Sequence, residues 1–461
     1  MFNDFKQLKC SHPFFIAVYC RSNYHTMATY EETPLLSSET EEKLTWRERI
    51  IRFRSSKTAI TFVVSLALFA DMVVYGIVVP ILPLIAKDKL NADPAMVGLL
   101  FGTYAFGLLG STPIFAILSD RYNTRKIPMV IGLFGLGVST IFFIVAENFW
   151  QLMLARMAQG AAGGASWTIG LTMIADAFPP DQLGVAMGVV LSWNGVGFLV
   201  GPAIGGILFE YWGFAAPFIF CAALAFIDLL AQLYVIPATP IDHDDEFVDT
   251  TGDVESQSSI RTKPSIWTLI RERPIIICSL ATFLIASNYS SIEPTLGVYL
   301  EEEFHYNPST IGVIYMALVI PNVFMSPIAG YLSSRFGGMT ISGLGIFVFA
   351  LVTPLIALPR SFWLESLSLV LCGAAGATAM TPILPEMGLH VTKLGGGAFA
   401  QLDAIFNMAY SLGMLGGPIA GGYLMKQFGF LKTTLAFGML LLVFTPLIVI
   451  KKRSSHITTP S

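Results

Sequence analysis

Apolar runs of about twenty residues or more recur along most of this 461-residue chain, separated by short polar turns. A run of about 20 apolar residues is long enough to cross a bilayer as a helix. Inside the hydrocarbon no water satisfies the backbone, and a helix satisfies its own N–H and C=O groups. The recurrence therefore predicts an all-α membrane protein. Composition agrees, because 54% of residues are hydrophobic and only 13% charged, about half the charge of a soluble chain. A net charge of −4 says little about partners and gives a nucleic-acid partner no support. The five cysteines show no metal spacing and no disulfide framework.

Twelve spans are predicted, at 58–86, 94–118, 127–146, 149–178, 182–208, 214–236, 274–300, 308–332, 339–358, 362–389, 396–426 and 430–450. They form two six-helix bundles, 58–236 and 274–450, joined by 237–273. The joint contains DHDDEFVDTTGDVESQSS, whose acidic, serine-rich composition predicts a disordered linker. Its end, KPSIWTLIRER, reads as a short amphipathic helix on the membrane surface. Residues 1–57 and 451–461 are polar tails, and Phe14–Cys20 is too short for a span and a poor signal peptide.

Lys and Arg decide orientation. Arg47, Arg49, Arg52, Arg54 and Lys57 precede the first span, and Arg121, Arg125 and Lys126 follow the second. Arg261, Lys263, Arg271 and Arg273 precede the seventh, and Lys451, Lys452 and Arg453 follow the twelfth. All fall on one side, so both termini and the linker are expected in the cytoplasm. In YEETPLLSSETEE, Glu31, Leu35 and Leu36 fit an acidic-dileucine sorting signal. It would send protein to a vacuolar or vesicular membrane instead of the plasma membrane. Met27 offers an alternative start.

One sentence of the sequence is written twice. GFLVGPAIGG at 197–206 is answered by GMLGGPIAGG at 413–422. Gly197, Gly201, Pro202, Gly205 and Gly206 meet Gly413, Gly417, Pro418, Gly421 and Gly422, each 216 residues on. A shift of 214 aligns Pro80 with Pro294, Gly98 with Gly312, Pro113 with Pro327 and Arg121 with Arg335. The two halves are thus repeats in the same orientation, with the glycine-proline stretch in the fifth helix of each. Glycines four apart make a face on which another backbone approaches closely, and the proline bends its helix. Packing alone accounts for them; a second reading is that they seal one side while the halves move.

A charge in hydrocarbon costs about 2.5–3.5 kcal/mol or more, so it usually faces a cavity and carries function. Asp71 lies mid-span in the first helix, with Tyr75 one turn on and on the same face. Glu293 sits beside Pro294 in SNYSSIEP, where a broken helix is expected to line a cavity. Asp403, Asn407 and Tyr410 form one polar stripe on the eleventh span, although Asp403 lies close enough to its end to be simply solvated. Asp228 reads as packing within its own half or as a transport carboxylate. Arg156, the one strong base well inside a span, either balances Asp71, helps deprotonate a carboxylate, or forms a structural ion pair. Asp120, Arg121 and Asp176 sit at cytoplasmic ends and read as a latch. Tyr104, Trp167, Trp193, Asn288, Tyr315 and Phe406 are candidates for a cavity wall holding an aromatic or cationic ligand, against packing or lipid contact. No nucleophile-base pair, phosphate loop or metal cluster appears, so no enzyme, cofactor or metal is predicted. The expected partners are a small-molecule substrate, protons and the lipid bilayer, and the chain is expected to act as a monomer.

FAILSDRYNTRK (115–126), LARMAQGAAGG (154–164) and GFLVGPAIGG resemble three motifs of the major facilitator superfamily, with Ala116 where the first prefers Gly. The resemblance covers residues 58–450. It implies the major facilitator fold, twelve transmembrane helices in two parallel six-helix repeats, with a substrate path between the halves near mid-depth; this superfamily is a worked example of that rule. The third motif is typical of exporters. FADMVVYGIVVPILP (69–83), SIEPTLGVYL (291–300) and AFIDLLAQL (225–233) resemble vesicular amine transporters and related drug exporters. That resemblance implies transport roles for Asp71, Glu293 and Asp228. The family's helix-two Lys falls on Tyr104, its helix-ten Asp near Ala377 and its helix-eleven Asp on Asn407, which favours a broader drug or metabolite exporter. The implied activity is proton-coupled antiport of small amphipathic molecules: drugs, toxins, secondary metabolites or amines. Proton and cationic substrate would compete for Asp71. The alternatives are a symporter or uniporter importing a small nutrient, and a non-transporting receptor on the same scaffold.

Overall fold

The computed structural model describes residues 54–122, 124–235, 266–358, 361–393 and 399–449. The sorting motif at Glu31, Leu35 and Leu36, Met27, both tails and most of the linker lie outside the described residues, as does the side chain of Asp120. The first half contains α1 (Lys57–Leu90), α2 (Pro94–Arg121), α3 (Lys126–Val145), α4 (Phe149–Ala177), α5 (Pro180–Trp212) and α6 (Ala215–Tyr234). A short α7 (Ile266–Arg271) leads into α8 (Arg273–Phe304), α9 (Pro308–Phe336) and α10 (Gly338–Val352), the last extended by a 3-10 turn, Thr353–Ala357. Then come α11 (Phe362–Met380), α12 (Ile383–Lys393), α13 (Phe399–Phe428) and α14 (Phe430–Val449). Among the described residues, ten segments are apolar and long enough to cross a membrane, α11 and α12 counting as one. The 29-residue α4 and 30-residue α13 have the length as well, but carry polar residues such as Arg156 and Gln159, or Asp403 and Asn407.

The helices start and stop where backbone chemistry requires it. Ser56 caps α1, its Oγ accepting from the Ala59 amide at 3.1 Å, which satisfies one of the orphan donors of a first turn. Gly213 and Gly429, again 216 apart, end α5 and α13 in the left-handed region at φ +82° and +81°, where glycine carries no Cβ penalty. Two sequence expectations are corrected. The helix around Glu293 is not broken: α8 runs unbroken through SNYSSIEP and Pro294. Hydroxyls of Ser287, Ser290 and Thr295 bond the carbonyls four residues back, so these hydroxyls are satisfied within the helix. Conversely, the tenth span, expected as one helix, breaks between Met380 and Ile383 at Pro382, which lacks an N–H and disfavours helical backbone before it.

The doubled motif has two faces. Gly197, Gly201 and Gly205 of α5 lie on α1, where a Cβ would come within 2.5–2.9 Å of Phe69, Gly76 and Ile77. Gly413, Gly417 and Gly421 of α13 lie in the same way on α8, at Phe283, Ser287 and Ser291. The last glycine of each motif crosses to the other half. Gly206 lies on the Pro308 carbonyl, while the Pro202 carbonyl lies on Gly312. In the second copy Gly422 lies on the Pro94 carbonyl, and the Pro418 carbonyl on Gly98. A Cβ at any of these four crossing glycines would fall 2.1–2.3 Å from a carbonyl oxygen. The repeat thus encodes the α5–α9 and α2–α13 crossings that join the halves.

Polar links between the halves gather at the face opposite the linker. Lys87 Nζ pairs with Glu301 at 2.8 Å and Glu302 at 3.2 Å, and Lys426 Nζ with Asp93 at 2.7 Å. Glu210 accepts from the Ser309 amide and hydroxyl and from the Asn307 amide group. Among the described residues, α4 and α11 do not pack extensively on each other. Partial desolvation of Asp93 alone would raise its pKa, but the bonds from Lys426 and the Met96 amide hold it below the ordinary 3.8. A carboxyl depressed in the folded state stabilises above its unfolded pKa and loses that contribution as the pH falls. Lys426→Met is therefore expected to lower thermal stability slightly at neutral pH, by under about 1 kcal/mol for so exposed a pair. Melting curves of the purified protein should converge with wild type as the pH drops below 3.8.

Candidate functional site

At mid-depth the first half buries a charged and aromatic cluster. Asp71 on α1 is 3% exposed, and its Oδ1 has no hydrogen-bond partner. Its carboxylate lies over Gly163 of α4, where a Cβ would meet Asp71 Oδ1 at 2.9 Å and the Tyr104 hydroxyl at 3.0 Å. The AAGGAS stretch of α4 therefore makes room for the acid. One and a half to two turns earlier on α4, Arg156 is fully buried. It forms no ion pair with Asp71. Its Nη1 donates to Gln159 at 3.1 Å, while Nε and Nη2 have no hydrogen-bond partner. Instead three rings surround the guanidinium: Tyr104 at 4.9 Å, Phe101 at 5.1 Å and Tyr75 at 5.4 Å. A desolvated cation–π contact is worth about 2 kcal/mol, so three offset a burial cost of several kcal/mol.

Tyr75 connects this cluster to the second half. Its ring lies 4.8 Å from that of Tyr104, and its hydroxyl donates to Glu293 Oε2 on α8. The Tyr315 hydroxyl of α9 donates to the Glu293 carbonyl at 2.5 Å. Glu293 also borders a cavity of about 230 Å³, whose wall includes Phe198, Tyr289, Asn322, Gly376 and Tyr410. A larger hollow of about 420 Å³ lies at the far face near Glu302, Lys426 and Phe430. It is remote from the buried charges, so the smaller cavity is the candidate site.

The structure brings together Asp71, Tyr75, Tyr104, Arg156, Glu293 and Tyr315, with Tyr410 across the cavity. The other candidates lie elsewhere. Asp403 is exposed and accepts from Asn407 at 2.9 Å. Asn288 is fully buried and donates to Thr353 at 2.8 Å, bracing α8 against the 3-10 turn. Trp193 is half exposed and edge-on to Phe69. Trp167 packs on the apolar core of the first half, and Phe406 on the main core. Asp228 is fully buried in the first half, and neither oxygen has a hydrogen-bond partner. Asp176 pairs with Arg125 at 2.9 Å instead of Arg121, because Arg125 opens α3 facing α4 while Arg121 is exposed. Sequence reasoning missed Gly163, Phe198, Tyr289 and Asn322. Asn322, one polar residue beside Pro321 in an apolar run, carried a readable signal.

The family model described as Major Facilitator Superfamily matches residues 64–286 and 278–460. An MFS-type transporter of Schizosaccharomyces pombe is 27% identical over 423 residues, covering 85% of this chain and 94% of its own. The synaptic vesicular amine transporter of Mus musculus is 28% identical over 364 residues, covering 78% of this chain and 67% of its own. Among solved structures, the nucleoside transporter NupG superposes with a TM-score of 0.70 at 14% identity, covering 86% of this chain and all of its own. That likeness shows the fold.

Proposed function

The chain belongs to the Major Facilitator Superfamily, and from that premise we propose that it is a proton-coupled antiporter of small amphipathic organic cations. Membership makes it a multi-pass membrane transporter; coupling and substrate class are our reading. The observation that carries it is the placement of Glu293, a carboxylate on an aromatic-walled cavity, hydrogen-bonded across the halves to Tyr75. An ammonium group fits that wall, with Glu293 as counter-charge and the rings of Phe198, Tyr289 and Tyr410 against the organic body. The synaptic vesicular amine transporters supply independent support for amines.

Asp71 takes a different role from the one the sequence suggested. It does not border the cavity but sits behind Tyr104, over Gly163. We assign the proton to Asp71 and the substrate charge to Glu293, with Arg156, caged by Tyr75 and Tyr104, as the fixed charge near Glu293. Asp403 and Asn407 line the linker-side approach, Asp228 is a second buried acid, and Asp176 with Arg125 steadies the linker-side ends. The linker face is taken as cytosolic, so the chain exports its substrate or loads it into a vesicular or vacuolar lumen, acting as a monomer.

The test is reconstitution of the purified protein into vesicles with a panel of labelled organic cations. Uptake should follow an imposed pH gradient, acid inside, and collapse with a protonophore. Accumulation that ignores the gradient for every cation taken up would remove proton coupling. A nutrient imported together with protons would establish the symporter instead.

A further inference from the structure

One buried acid has no place in this scheme. Glu365 lies in the first turn of α11, fully buried, and neither carboxylate oxygen has a hydrogen-bond partner. A buried polar group left unpaired costs free energy comparable to a lost hydrogen bond or more, and a carboxyl group costs more than a leucine would at such a position. Glu365 shares its helix face with Cys372 and Gly376, seven and eleven residues on. Gly376 packs on the Tyr289 ring of α8, and Gly373 on the Leu318 carbonyl of α9. Ser342 of α10 donates to the Ala379 carbonyl at 2.7 Å. These contacts fix the register of α11 against three neighbours. Because α8 runs antiparallel to α11, Glu293 stands level with Cys372. Glu365 stands seven residues farther towards the far face, about 10 Å at 1.5 Å per residue. It is thus an acid aligned with the cavity carboxylate, inside the same half, one step nearer the far compartment.

We propose that Glu365 is a second proton-binding site of the transport cycle, loaded from the far face and exchanging protons with Glu293 through the interior of the second half. The inference rests on the proton-coupled reading above. Groups that donate and accept adjoin Glu293 in this half. The Tyr315 hydroxyl is already on the Glu293 carbonyl, Thr353 holds Asn288, and Asn288 Oδ1 itself has no hydrogen-bond partner. Among the described residues, the titratable groups facing this interior are Tyr289, Glu293 and Tyr299 from α8, Tyr315 from α9 and Cys372 from α11; the 3-10 turn contributes the Thr353 hydroxyl. None of them is a cation that would fix Glu365 as an ion-pair partner. The step conserves charge simply: one proton leaves water at the far face, binds a Glu365 oxygen, and leaves it for Glu293 when that carboxylate is free of substrate.

Infrared difference spectroscopy after a pH step, on the full chain in lipid, reads carboxyl groups without needing the substrate. The wild type should show carboxyl C=O bands that respond to the step. Glu365→Gln should remove one of them and leave those assigned with Glu293→Gln and Asp71→Asn. Glu365→Asp should shift that band and keep its response, a control that also guards against misfolding. In vesicles, gradient-driven uptake of a labelled organic cation by Glu365→Gln should fall about tenfold and lose its dependence on far-side pH, with equal-pH exchange unchanged. Identical difference spectra for wild type and Glu365→Gln, or an unchanged pH profile of uptake, would overturn the inference. If the Glu293 and Asp71 bands still respond in that case, the proposed function stands. If no carboxyl group responds, the proposed function falls as well.

Discussion

Asp71→Asn is expected to bring uptake driven by a pH gradient down to the level of empty vesicles, while exchange of substrate at equal pH survives. Asn keeps the shape of the side chain over Gly163 and beside the Tyr104 hydroxyl, so the pocket need not collapse. What it removes is the ability to carry a proton. Since Asp71 does not border the cavity, the substrate path keeps its wall. Glu293→Gln should behave differently and lose exchange too. It deletes the anion that faces the cavity and weakens the cross-half bond from Tyr75, a charge-assisted contact worth about 1.5–3 kcal/mol. An Asp71→Asn protein that still concentrates substrate at the wild-type rate from an acidified lumen would take Asp71 out of coupling altogether. Equal loss of exchange in both variants would return the two acids to one shared site.

The Tyr75–Glu293 bond gives this division of labour a physical link. It is a mid-depth tie between the halves, and one of its partners is the group a substrate cation would engage. A cation at Glu293 competes with the Tyr75 hydroxyl for the carboxylate and loosens the tie. The Tyr75 ring also lies against Tyr104 and over Arg156, so releasing it alters the surroundings of Asp71. In the proposed scheme, substrate binding in one half would thereby be felt by the proton site in the other. Alternating access then needs only that the far-face links, Lys87 with Glu301 and Lys426 with Asp93, open when the linker side closes.

The membrane fold was legible because its signal is long and repetitive: apolar runs of helical length, and a 216-residue echo that proves to be a pair of helix crossings. Asp71, Glu293 and Arg156 were legible one by one, since an isolated charge in an apolar run is conspicuous. Their partners were not. Which face of α4 meets which face of α1 depends on helix rotation, and neither Gly163 nor the ring cage of Arg156 follows from spacing along one helix. Polar residues also mislead when a helix can satisfy them itself. SNYSSIEP looked like broken backbone, yet serine and threonine hydroxyls bonding back within α8 keep it continuous. Glu365 was passed over because it stands at the edge of a predicted span, where a carboxylate ordinarily meets water; its burial comes from the packing of α11 on its neighbours.

Adjacent glycines of the doubled motif are expected to give opposite results. At Gly416 a new Cβ meets nothing within 4 Å. Gly416→Ala should leave transport intact and gain up to about 1 kcal/mol from reduced backbone freedom in the helix. At Gly417 the same methyl would fall 2.2 Å from the Ser287 carbonyl and 2.5 Å from the Ser290 hydroxyl. Neither is the far end of a flexible chain, so α13 must move off α8. Overpacking of this kind costs about 1–3 kcal/mol or more. It also displaces α8, which carries Glu293. Gly417→Ala should therefore melt at lower temperature and lose most of its transport. The first copy offers a graded comparison, because the Gly201 position is less tight, 2.9 Å from the Gly76 Cα. Gly201→Ala should be milder than Gly417→Ala. Thermal melting in detergent and uptake at matched expression separate the three variants, and equal behaviour of Gly416→Ala and Gly417→Ala would mean that the motif does not set the α8–α13 contact.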